Sequence, residues 1–260
     1  MHRIGLHGKS ILPFVISYGC NVPGVMGTRI LESPRDRFIT AALSVFIPCA
    51  ARSTIIFGLV GAYIGGLAAA GLYIFNICIV MILGGILTRF IPEITPGLIM
   101  EIPPLRIPTL KNIFLKTWLR LKDFMLVAWP LLVISSIILS LLEYFKMDTI
   151  LNKIFSPIVS WMLGLPEETG ITLVFGILRK ELSMIMLFQA MHTTQLNTVM
   201  TNVQLIVFTI FTLFYIPCVG TMGVLLRELG ARKMILITVL TITVALILSV
   251  LSRIILSLII

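Results

Sequence analysis

The run Ser17-Tyr18-Gly19-Cys20-Asn21-Val22-Pro23-Gly24-Val25-Met26-Gly27-Thr28-Arg29 constrains this chain more than any other stretch. It is apolar enough for a membrane, yet a thiol, an amide, a proline and three glycines interrupt it. An ordinary spanning helix is excluded. Pro23 has no N–H to offer the carbonyl of Gly19, while Gly24 and Gly27 let the backbone leave helical angles at little cost. In a bilayer, irregular backbone persists only where protein buries it or where it lines a wet cavity. The run is therefore expected beside an intramembrane path.

Composition agrees with a membrane setting. Apolar residues make up 58% of the chain and charged residues 12%, with a mean hydropathy of +1.08, against roughly 25% charged in soluble domains. The 260 residues suffice for about six to eight spans of ~20 residues in one polytopic domain. The net charge of +9 raises nucleic acid as a partner, but Lys and Arg stand mostly at the ends of apolar segments, as a cytoplasmic charge bias requires. The bilayer is the partner to expect, and nucleic acid is not. The four cysteines lie inside apolar segments without the spacing of a disulfide framework. Gly8-Lys9-Ser10 looks like the end of a phosphate-binding loop, but Arg3 stands where that motif needs its first glycine. A lipoprotein signal is opposed by Ser17 and Pro13.

A second interruption follows the arginine-rich loop Arg29 to Arg37, which reads as cytoplasmic. Apolar residues from Phe38 to Ile47 lead into Pro48-Cys49-Ala50-Ala51-Arg52 and resume from Ile55 to about Ile64, the pattern of a discontinuous transmembrane helix. An arginine near mid-membrane costs at least ~2.5 to 3.5 kcal/mol on insertion scales, so Arg52 should face the interior and find a partner. The pattern recurs. Phe46-Ile47-Pro48-Cys49-Ala50-Ala51 matches Tyr215-Ile216-Pro217-Cys218-Val219-Gly220 as aromatic, Ile, Pro, Cys and two small residues, which suggests an internal repeat with a site at the repeat interface.

The remaining chain reads as spans at Gly65 to Thr88, Phe124 to Phe145 with a kink at Pro130, and Met234 to Ile260. Thr109 to Asp123 has the pattern of a basic amphipathic helix lying on headgroups. Asp148 to Leu165 is expected at the interface. Ile171 to Ala190 is expected as a span enclosing Arg179-Lys180-Glu181, in which Arg179 and Glu181 point in different directions and each need a partner elsewhere. The resulting division is a first gate half at 1–108, connecting segments at 109–165 and a second gate half at 166–260.

Cys20, Cys49 and Cys218 each accompany a proline at a helix break. There a thiolate and freed carbonyls can replace part of a cation's hydration shell, with Asn21 adding an oxygen and Met26 a soft sulfur. Sulfur ligands favour Fe(II), Zn(II) or Cu(I) over Mg and Ca, without naming one metal. The competing reading is that small residues beside prolines merely allow close helix packing. No carboxylate pair, metal-spaced histidines or Ser/His/Asp set marks an enzyme.

Gly19-Cys20-Asn21-Val22-Pro23, Thr28-Arg29, Pro34-Arg35-Asp36-Arg37, Pro48-Cys49-Ala50-Ala51-Arg52, Arg179-Lys180-Glu181 and Pro217-Cys218 together resemble the membrane domain of the ferrous iron transport protein B family, over about Arg3 to Glu228. The resemblance implies an all-α, polytopic transmembrane bundle of two pseudo-symmetric gate halves, multi-pass in the cytoplasmic membrane. It implies Fe(II) as transported substrate, no permanently bound cofactor, and metal ligation by Cys20, Cys49 and Cys218 with Asn21 in support. Arg52, Arg179 and Glu181 become gating residues, Arg52 and Glu181 pairing across the halves. Family members usually carry an amino-terminal GTP-binding domain, and Asn152-Lys153-Ile154-Phe155 is not the guanine-reading N-K-x-D. A GTPase on a separate chain or missing segment is therefore expected, with a small cytoplasmic iron-transport accessory protein and a second copy of the chain as further partners. Two alternatives are a gate-type transporter of a nucleoside or other solute, and a membrane scaffold that transports nothing.

Overall fold

The computed structural model describes residues 8–91, 109–144, 157–166, 169–178, 180, 182–191 and 199–259, and among these every regular element is helical. A first short helix α1 (Ile11–Gly19) is followed by α2 (Asn21–Gly27), then α3 (Pro34–Phe46), α4 (Ala50–Ile55) running into a π-helical turn (Ile56–Gly61), and the long α5 (Gly66–Phe90). The rod α6 (Leu110–Tyr144) and a π-helical segment (Pro157–Leu163) come next. After them the order repeats, with short α7 (Thr169–Leu178) and α8 (Leu182–Ala190), interrupted α9 (Asn202–Phe214) and α10 (Val219–Leu229), and long α11 (Ala231–Ile259).

Each repeat opens with a helical hairpin. Seven residues of straight helix advance about 10 Å, yet Gly24 lies against Ser17, where an added Cβ would collide with Oγ and sit 3.1 Å from Cα. The chain therefore reverses at Cys20, whose φ of −152° and ψ of 133° are extended. Gly176 lies against Ser183 in the same way, so α7 and α8 also turn back on one another, with Lys180 in the turn. This corrects the continuous span expected over Ile171 to Ala190. Arms of 7 to 10 residues reach only about half of a ~30 Å hydrocarbon layer, so both hairpins enter and turn back. Pro23 becomes the third residue of α2, where a backbone N–H has no helical acceptor to lose.

The interrupted helices are built alike. Both α3 and α9 have 13 residues. Ser33 caps α3 through the N–H of Asp36 with Pro34 at the first position, and Thr201 with Gln204 forms a capping box on α9. Each stops short of Pro48 or Pro217, which cannot continue the i to i−4 ladder. Their inner faces form the core, where Phe46, Leu59, Phe208 and Phe214 are fully buried.

Among the described residues five helices are long and apolar enough to cross a membrane: α3 and α9 taken through their breaks, α5, the Leu110–Ile138 part of α6, and Ala231–Leu258 in α11. The hairpin arms are too short to add spans to these. The surface helix expected at Thr109 to Asp123 and the span expected from Phe124 are one continuous rod. Neither Gly nor Pro separates them, and Pro130 is accommodated inside the helix. The described end of the expected interfacial segment is also interior: Val159, Leu163 and Leu165 are buried, and Arg253 Nη1 donates to Met162 O at 3.1 Å. Outside the described residues lie positions 92–108 and 145–156, Glu167, Glu168, Arg179, Glu181 and His192.

Candidate functional site

Three cysteines occupy one local structure, repeated. Cys20, Cys49 and Cys218 are the N-cap residues of α2, α4 and α10, all with extended backbone, and none of the three side chains caps its helix. Their carbonyls instead accept the first helical bonds, from Gly24 N at 3.2 Å, Ser53 N at 2.9 Å and Met222 N at 3.0 Å. The sulfur of an N-cap cysteine thus stands beside the break and is not consumed in making it. Cys218 Sγ also lies 3.2 Å from Thr221 Oγ1. Cys78, in contrast, is exposed on α5.

Three of the carbonyls released where α3 stops are answered by side chains. Val45 O accepts from Asn21 Nδ2 at 3.2 Å and from Arg52 Nη1, Ile47 O accepts from Arg52 at 3.4 Å, and Phe46 O accepts from Asn76 Nδ2 at 3.3 Å. Buried carbonyls need such partners, and sequence reasoning had assigned this freed backbone to a cation instead. Asn76 thus bonds across from α5 to the end of α3. Arg52 is fully interior, 1% exposed, but its described partners are these local carbonyls and not the carboxylate expected across the halves, since Glu181 lies outside the described residues. Two polar atoms at the break keep no partner among the described residues, Asn21 Oδ1 and Arg52 Nε.

At the end of α9 different side chains do this work. Lys180, 3% exposed at the turn of the second hairpin, points its ammonium at Thr212 O (3.5 Å) and over the Tyr215 ring (4.5 Å to the centroid), while Tyr215 OH donates to Leu173 O at 3.1 Å. Sequence reasoning treated Arg179 and Glu181 as the informative charges of this triplet and passed over Lys180. The signal was available, since a lysine inside an apolar run is as costly as an arginine.

The three N-cap cysteines, Asn21, Arg52 and Lys180 meet at one cavity of about 280 Å³, with Gly19, Cys20, Asn21 and Val22 on one wall, Cys49 to Arg52 on another and Cys218, Gly220 and Thr221 on a third; Lys180, Leu178 and Phe124 complete it. The three thiols and Asn21 are therefore brought together. Met26 is not, and packs on the apolar core beneath. Among the described residues no three Cys, His, Asp or Glu side chains form a ready-made metal cage, so the thiols are arrayed around the space and do not close on one point.

One further link between the halves was illegible beforehand. Glu228, at the end of α10 and 4% exposed, receives Arg29 Nε at 2.9 Å and Arg37 Nη2 at 2.6 Å. Arg35 meanwhile donates to Thr88 O at 2.9 Å and to Ile91 O, closing the last turn of α5. The arginines expected to face headgroups thus have protein partners.

Broken hairpins and interrupted helices in two repeats, meeting at a shared cavity, define a gate-type polytopic membrane protein. A family model described as Nucleoside recognition (Gate) matches residues 1–63 and 125–232, and one for the ferrous iron transport protein B C terminus matches residues 69–120 between them. The chain belongs to the ferrous iron transport protein B family. The Fe(2+) transporter FeoB of Staphylococcus aureus (strain COL) is 30% identical over 254 residues, covering 90% of this chain. The Fe(2+) transporter FeoB of Salmonella typhimurium is 38% identical over 153 residues, covering 57% of this chain and 20% of that protein. The chain spans 38% of the length of the Staphylococcus aureus relative. No solved structure matches it.

Proposed function

We propose that this chain forms the membrane pathway of a ferrous iron transporter in the cytoplasmic membrane, with Cys20, Cys49 and Cys218 as the ligands that receive Fe(II) and Asn21 Oδ1 as a supporting oxygen. The reading rests above all on the convergence of three N-cap cysteines, from three separate helix breaks, on one cavity. Soft sulfur suits Fe(II) better than Mg or Ca, and an unpartnered amide oxygen beside the thiols can take part of the hydration shell. The relatives' printed name, Fe(2+) transporter, supports the same cargo. Because the thiols are spread around the cavity, they act as successive stations, with coordination completed by water or by movement of the halves. Energy is supplied by a GTPase on a separate chain or segment, and the chain itself performs no catalysis.

The test is Fe(II) uptake into proteoliposomes holding the purified chain, with and without a candidate GTPase. Cys49→Ser and Cys218→Ser are each expected to reduce initial uptake about tenfold or more, and Cys20→Ser comparably, while Cys78→Ser leaves it unchanged. Uptake indifferent to all three cavity substitutions would instead favour passage of an organic solute, for which the basic groups Arg52 and Lys180 in the wall offer contacts to an anion. Absence of any metal flux even with the GTPase present would favour a scaffold.

A further inference from the structure

Lys180 lines the cavity, yet ligation by thiols assigns it no task. Its ammonium has three donors and a strong preference for full hydration. Among the described residues its partners in this interior are one long hydrogen bond to Thr212 O (3.5 Å) and the face of the Tyr215 ring (4.5 Å). Burying a charge with so few partners is costly, and evolutionarily simpler donors would satisfy one carbonyl, as Asn76 does for Phe46 O. Arg52, the other cation of the wall, is fastened differently: it bonds Val45 O and Ile47 O from the helix it belongs to. Lys180 instead stands in the turn between α7 and α8, outside either helix, on a flexible four-carbon stem.

We propose that Lys180 is a tethered competitor of the metal: its ammonium stands at the cavity wall while no metal is there and withdraws when a divalent cation arrives. This rests on the thiols being ligands. A single positive charge and a divalent ion cannot share a cavity of about 280 Å³ without strong repulsion, because the interior screens charge poorly. Of the two cations, the one held by a single long bond yields. The tether makes metal affinity lower than the thiols alone would give, so that a bound ion is released more readily.

The experiment titrates the purified full chain in detergent with Co(II), a spectroscopic substitute for Fe(II), and reads the sulfur-to-cobalt charge-transfer absorption. Lys180→Met is expected to raise Co(II) affinity about tenfold or more, whereas Lys180→Arg, which keeps the charge, binds no tighter than the unmodified chain. Lys180→Gln retains a donor for Thr212 O and carries the measurement if Lys180→Met is not monodisperse. Equal or weaker affinity in the folded Met and Gln variants, with the absorption band intact, overturns the tether and leaves the thiol ligands standing. A chain with no cobalt–sulfur band overturns both. In the unmodified chain, saturating Co(II) is expected to change the rate at which an acylating reagent modifies Lys180 at least about threefold, read by mass spectrometry. An unchanged rate would sink the proposal even if no variant folds.

Discussion

The two helix breaks share a backbone and differ in chemistry. At Ile47-Pro48-Cys49 the released carbonyls are met by two neutral amides, Asn21 and Asn76, and by an arginine from the following half-helix. Near Tyr215-Ile216-Pro217-Cys218 the described partners are a lysine from the opposing hairpin and an aromatic ring. The first break is tied by four bonds from three side chains, and the second, among the described residues, by one bond from a lysine on a flexible stem. Duplicated architecture thus supports one rigid wall and one wall able to respond, and the latter is where a cation-dependent rearrangement belongs.

The largest expected effects probe what the halves have in common. Gly24→Val and Gly176→Val each force a side chain into the opposite hairpin arm, against Ser17 in one case and against Ser183 and Tyr215 in the other. Each should destabilise by about 3 kcal/mol, measured as thermal unfolding of the purified protein in detergent. Ser17→Gly should recover part of the first loss; if it recovers none, the two hairpins are not equivalent. Smaller and specific to the rigid wall, Asn76→Leu leaves Phe46 O without its donor and should cost about 1 to 2 kcal/mol. A loss no greater than that of an exposed substitution would remove the contrast between the breaks. Smallest is Glu228→Gln, which weakens the ties to Arg29 and Arg37. Since Arg29 is 42% exposed, the expected loss is about 1 kcal/mol or less, shrinking as salt is raised. An effect independent of salt would show that Glu228 acts through packing alone.

Much of this arrangement can be read from residues. Proline, cysteine and small residues in sequence mark where a spanning helix must stop, and their recurrence at Pro48 and Pro217 marks the repeat. The interior location of Arg52 follows from the cost of exposing it to lipid. What is illegible depends on contacts distant in sequence or decided by shape. The turn between α7 and α8 rests on Gly176 nesting against Ser183, and no periodicity distinguishes that from an apolar span carrying charges. The continuity of α6 was hidden by its change from basic to apolar composition at a point where nothing stops a helix. Glu228 lies 199 residues from Arg29, and neither residue announces the other. The fate of the released carbonyls is the most instructive case. Proline predicts that they are freed, but only the fold reveals that Asn21, Arg52 and Asn76 reach them first.

That last feature has a bearing on discrimination among ions. Potassium channels strip water from a hard ion with a ring of peptide oxygens; here the oxygens of Val45, Phe46 and Ile47 are already engaged by the protein's own nitrogen donors. A sodium, magnesium or calcium ion entering the chamber would meet the three cysteines and the Asn21 amide oxygen, with the backbone oxygens of the break withheld from it. Rejection of the abundant biological cations then needs no finely sized ring, only a break whose peptide oxygens are already spoken for.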